Sequence, residues 1–181
     1  ALAYYPGSGI HAADDVRGRL QNVQSVVLDE SDNNIVYINY NDNVTAKVTF
    51  LEDGIFRFNV DPTGEFSKYA TPRSRSHKAR IQQYPDESSN YSHPNATVTQ
   101  DEQTYSIKSK STTIVLDKAT AKMKVMDGSK TVLEEKEALL IADNSTVQTL
   151  VANGGEDFYG GGTQNGRFIH TGETINVAVD N

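Results

Sequence analysis

The sequence predicts an all-β chain, an antiparallel β-sandwich. Apolar and polar residues alternate with a period of two along most of its length, turn-forming residues break that alternation at short intervals, and ten-residue helical patterns are missing. Strands recurring so closely, with no helical crossovers between them, stack as antiparallel sheets and do not wind into a parallel one.

The first strands are read at Ser25–Leu28 and Ile35–Tyr40, parted by the Asp32-Asn33-Asn34 turn. Next comes a hairpin. Val44, Ala46, Val48 and Phe50 share one face while Thr45, Lys47 and Thr49 take the other, and beyond Glu52-Asp53-Gly54 the residues Phe56, Phe58 and Val60 alternate with Arg57 and Asn59. That pattern predicts one wet face. Asp61-Pro62-Thr63-Gly64 closes the hairpin, and residues 84–97, with two prolines and few apolar groups, read as a long loop. Strands follow at Thr104–Lys108, Thr112–Leu116 and Lys122–Val125, with turns at 117–120 and Asp127-Gly128. Thr131–Leu140 is ambiguous: its Leu, Glu, Lys and Ala residues favour a helix, and a strand, a turn near Lys136 and a second strand fit equally well. After Asn153-Gly154-Gly155 a last strand is read at Ile175–Val179.

At 181 residues the chain suffices for one domain with its own core but not for a sandwich plus a (β/α)8 barrel of about 250 residues. The formal net charge is −7, and basic residues are scattered apart from Arg73, Arg75, Lys78 and Arg80. Nucleic acid is therefore not expected as a partner, because phosphates demand a concentrated basic surface. The small cluster reads as an exposed loop or edge strand. No apolar run approaches the roughly 20 residues of a membrane helix, so no membrane partner is expected. With no cysteine, the sequence excludes disulfides, thiolate metal sites and a cysteine nucleophile. Ala1-Leu2-Ala3 fits the stub of a cleaved leader or of a cleaved tag, and the expected location is secreted or cell-surface, in a bacterium. Four Asn-x-Ser/Thr triplets, at Asn43, Asn90, Asn95 and Asn144, read as chance in a chain rich in these residues.

The run Gly160-Gly161-Gly162-Thr163-Gln164-Asn165-Gly166 is not a phosphate loop: it lacks the Lys-Ser/Thr of a Walker motif, Asn165 stands where a dinucleotide fingerprint has its third glycine, and no helix follows. Its glycines read as packing glycines that let backbone approach a neighbour. His11, His77, His93 and His170 are dispersed without metal-ligand spacing, and the acidic stretches Asp14-Asp15 and 29–32 lack the order of a calcium loop, so neither metal nor cofactor is expected. Among 24 acidic residues no pattern singles out a catalytic pair, and no serine sits in a nucleophile elbow. No catalytic residue is assigned.

The stretch Phe158-Tyr159-Gly160-Gly161-Gly162 with the Gly166-Arg167 turn resembles the glycine strand and turn of the N-terminal domain of glycoside hydrolase family 31, the retaining α-glycosidases and α-glucosyltransferases. Val48–Val60, and Tyr105–Ser109 continuing to Asp127–Leu133, resemble that domain's strand pairs, so the likeness spans nearly the whole chain. The family's usual Glu is Thr163 here, and 164–168 is similar to the branch containing cycloalternan-type glucosyltransferases and α-N-acetylgalactosaminidases. The resemblance implies a galactose-mutarotase-like sandwich over 1–181, its last ~18 residues leading toward a catalytic barrel beyond Asn181 that holds both catalytic aspartates. It also implies that Gln164, Asn165, Asp180 and Asn181 reach the sugar-binding rim, unless they only shape a domain interface. The implied partners are the enzyme's own barrel and an α-linked oligosaccharide or glycoconjugate.

Two other functions fit the same strand pattern. A free-standing carbohydrate-binding sandwich would use exposed aromatics as platforms, with nine tyrosines but no tryptophan to draw on. An aldose epimerase would need a His and a Glu paired on a concave sheet. The apolar pair Phe168-Ile169 also suggests self-association.

Overall fold

The structure is a computed structural model that describes residues 16–41, 44–62, 64, 66, 91–142 and 146–152. Eleven strands occur among them: β1 (Val16–Arg19), β2 (Ser25–Leu28), β3 (Ile35–Asn39), β4 (Thr45–Glu52), β5 (Ile55–Asp61), β6 (Thr97–Gln100), β7 (Thr104–Ser109), β8 (Thr112–Asp117), β9 (Met123–Asp127), β10 (Lys130–Ala142) and β11 (Thr146–Leu150). They form two antiparallel sheets. One is four-stranded, ordered β2-β3-β4-β5; the other is seven-stranded, ordered β1-β10-β9-β8-β7-β6 with β11 also paired to β10.

Alternation builds the core between the sheets. Val36, Ile38, Ala46, Val48 and Phe50 enter from the smaller sheet, and Ile107, Ile114, Leu116, Met123, Val125, Ala138 and Ile141 from the larger. In the β4–β5 ladder Ala46 pairs with Val60, Val48 with Phe58 and Phe50 with Phe56, so one apolar face continues across both strands, as the sequence pattern predicted. The other face is less wet than expected. Thr45 and Lys47 are partly exposed, but Thr49 lies buried between Ile35 and Arg57 on the adjoining strands, and Leu51 is buried as well. A bulge between Phe50 and Glu52 re-aims Leu51, and the loop before β6 crosses there, with His93 N–H donating to the Leu51 carbonyl.

Thr131–Leu140 is neither helix nor strand-turn-strand: β10 runs unbroken for 13 residues through Lys136. Its register shifts between Thr131 and Leu133, Glu135 and Glu137, and Glu137 and Leu140. Each extra residue moves the following side chains to the other face, so Glu135, Ala138 and Ile141 are all buried at a spacing of three. A bulged strand therefore imitates a helical period. β1, β6 and β11 were not read from the sequence; each is short and borders β10 or β7 in the ladder.

Three hairpin tips meet at one end of the sandwich. Ser111, between β7 and β8, donates its N–H and hydroxyl to the Asp53 carboxylate at 3.1 and 2.8 Å. Gly54 N–H donates to the Thr112 hydroxyl at 3.0 Å, and Gly128 N–H to the Ser111 carbonyl at 2.8 Å. Gly54 has φ +77°, a conformation glycine adopts without Cβ strain, as its two-residue turn requires.

Candidate functional site

The sequence-derived candidates, Gln164, Asn165, Asp180 and Asn181, with Gly160, Gly161, Gly162, Gly166 and Arg167, lie outside the described residues. So do the strand read at Ile175–Val179, the basic cluster at 73–80 and the pair Phe168-Ile169.

Within the described residues the most unusual chemistry surrounds Glu135. It sits on β10 at a register shift and is 4% exposed, the only buried Glu or Lys described. Burial would strand its charge, and two donors meet it: Met123 N–H at the start of β9 reaches Oε2 at 2.9 Å, and the Gln148 amide on β11 reaches Oε1 at 2.9 Å. Desolvation still dominates and raises the carboxyl pKa, with the Gln148 and Met123 hydrogen bonds pulling the other way. From the smaller sheet comes Tyr40, 2% exposed, directly after β3. Its burial, reinforced by the nearby Glu135 charge, pushes the phenol well above its ordinary range. A cleft of about 210 Å³ opens beside Glu135, its charged lining supplied by Asp117, Lys122, Lys124 and Glu134.

Sequence reasoning missed this cluster. The available signal was Glu135 in line with Ala138 and Ile141 at a spacing of three, which places a carboxyl on a buried stripe whether the segment is helical or bulged.

The remaining carboxylates with perturbed pKa serve turns. Asp29, Asp53, Asp101 and Asp117 are all lowered, chiefly by hydrogen bonds from Ser31, Ser111, Thr104 and Thr120 respectively. Such motifs fix loops.

Among the described residues no group of three or more His, Asp or Glu is placed to hold a metal. No helix among them is long and apolar enough to cross a membrane. The large exposed hydrophobics described are Val27, Ile55, Val132 and Val151, none aromatic. Tyr105 is instead engaged, its hydroxyl donating to the Gln24 carbonyl and its ring lying beneath the Lys118 ammonium, 4.6 Å from the centroid. His93 lies in the loop before β6, its Nδ1 3.3 Å from the Asn34 amide, so it is not a sheet residue facing Glu135. The platform and epimerase arrangements therefore find no support in the described part of the chain.

Comparison with solved structures finds the same fold in larger enzymes. A glycoside hydrolase family 31 dextranase of Flavobacterium johnsoniae, solved with isomaltotriose, superposes with a TM-score of 0.65 at 18% identity, over 86% of this chain and 18% of that one. The cycloalternan-forming enzyme of Listeria monocytogenes, solved with a pentasaccharide substrate, gives 0.56 at 16% identity, over 84% and 14%. This chain thus spans less than a fifth of the length of either. Comparison with curated proteins gives no match. The family model described as the glycosyl hydrolase 31 N-terminal galactose mutarotase-like domain matches residues 45–181, about three-quarters of the chain, and it is to this family that the chain belongs.

Proposed function

We propose that this sandwich is the non-catalytic N-terminal domain of a retaining α-glycosidase or α-glucosyltransferase, where it packs on a (β/α)8 barrel and contributes a loop to the sugar-binding rim. The observation that carries the reading is the family match over 45–181, in a chain that spans only 14–18% of the enzymes sharing its fold. The parent enzyme acts on α-linked sugars through a covalent glycosyl-enzyme intermediate held between two barrel carboxylates. Gln164, Asn165, Asp180 and Asn181 are the proposed rim residues, and 164–181 the proposed connection to the barrel. Export to the outside of the cell or its surface, in a bacterium, belongs to the same reading, as does self-association of the isolated chain through Phe168-Ile169.

The test is an assay of the 181-residue chain against aryl α-glucosides, α-N-acetylgalactosaminides and α-linked oligosaccharides, beside the parent enzyme. The chain alone is expected to show no turnover. In the parent, alanine at Asp180 or Gln164 is expected to raise KM or lower kcat by tenfold or more, about 1.4 kcal/mol of transition-state binding. Turnover by the isolated chain that disappears when one of its own carboxylates is replaced rules the reading out.

A further inference from the structure

Glu135 joins three strands of the larger sheet. Its own strand is β10, its Oε2 accepts from Met123 N–H of β9, and its Oε1 accepts from Gln148 of β11. The register shift between Glu135 and Glu137 separates it from the regular ladder, so the Gln148 bond adds a side-chain link where the backbone pairing of β10 with β11 is interrupted. β11 ends at Leu150, and one further bond, from Val151 N–H to the Glu134 carbonyl, carries the pairing to the residue before the stretch that holds the glycine run.

We propose that Glu135 is a proton-operated latch for β11: the carboxyl is held nearly buried while the strand is docked and is opened to water when the strand lifts. The physical basis is the difference between the two states. Docked, Glu135 is 4% exposed, bonded to Gln148 and close enough to Tyr40 for its charge to act on the phenol; lifted, it loses Gln148 and gains solvent. A carboxyl whose charged form is disfavoured by burial binds its proton more tightly when docked than when lifted, in keeping with the raised pKa. Linkage then sets the sign. Docking is strongest below the ordinary glutamate range and weakens as pH rises through the raised docked-state value, because lifting releases the proton. The Tyr40 phenol after β3 feels the Glu135 charge, Asp117, Lys122, Lys124 and Glu134 line the adjoining cleft, and β11 supplies the uncharged Gln148. Burial and the Glu135 charge keep the Tyr40 phenol protonated across this range.

The experiment is hydrogen exchange of the full chain between pH 4 and 8, corrected for intrinsic rates, with the Glu135 carboxyl titrated by carbon NMR. Protection of the β11 amides is expected to fall several-fold across the Glu135 titration, while β3 and β4 amides keep theirs; the limit is tenfold per unit by which docked and lifted pKa values differ. Glu135→Gln is expected to abolish the fall. Should that variant not fold, Gln148→Leu serves: it leaves Glu135 titrating but frees β11, so its β11 amides are poorly protected at every pH. A β11 response that persists in Glu135→Gln, that is matched by β3 and β4, or that is unchanged in Gln148→Leu overturns the latch.

Discussion

Asp53 shows how much of this fold rests on single turn residues. One carboxylate oxygen receives both the N–H and the hydroxyl of Ser111, 58 positions along the chain, so a local turn motif becomes a clasp between the two sheets. The Ser111 hydrogen bonds hold the Asp53 carboxyl below the usual aspartate value. A carboxyl with a lowered pKa contributes stability that is present above the unfolded value of 3.8 and is lost as pH falls through the lowered one. Asp53→Asn is therefore expected to be less stable than the parent chain at neutral pH and to converge with it as pH drops below 3.8, measured by thermal unfolding across that window. Curves that stay parallel throughout would mean that the Asp53 charge takes no part. Asp53 was read from the sequence as a turn residue, from Glu52-Asp53-Gly54; its partner was not, because nothing local in a chain indicates which distant hairpin tip will meet it.

β10 is where element-level reading failed, and the reason is geometric. Helix and strand assignments from sequence rest on side-chain period, and each bulge lengthens the spacing between inward side chains from two residues to three. With register shifts on either side of Glu137, the inward positions become Glu135, Ala138 and Ile141. Regular strands such as β8, buried at Thr112, Ile114 and Leu116, were legible because nothing disturbs their period. Deleting Lys136 removes the extra residue between Glu135 and Glu137 and forces a choice between two faces. Either Glu135 or the pair Ala138 and Ile141 turns outward, and the expected cost is about 3 kcal/mol or more, read by denaturant unfolding. Stability within about 0.5 kcal/mol of the parent would show that the shift is slack and not a device that sets the faces.

At the scale of the molecule, the family match and the folding unit have different limits. The match begins at residue 45, the first residue of β4, yet β4 is an inner strand whose neighbour β3 supplies Val36 and Ile38, both fully buried. Losing these two and Tyr40 removes roughly 1.5–3 kcal/mol of burial apiece, comparable with the 5–15 kcal/mol that holds a domain folded. A chain starting at Thr45 is expected to lack a cooperative thermal transition, whereas one starting at Val16 keeps it; a sharp transition in the shorter chain would place the folding unit within 45–181. What the sequence determined by itself was the class and most of the strands: alternation and turn residues are local properties, and the glycine run with Gly166-Arg167 carried the family. The tertiary structure alone decided the pairing of Asp53 with Ser111, the unbroken course of β10 and the burial of Glu135. Each of these depends on residues far apart in sequence meeting across a packed sheet, where the cost of an unpaired or misfaced side chain selects one register from several that the local pattern allows.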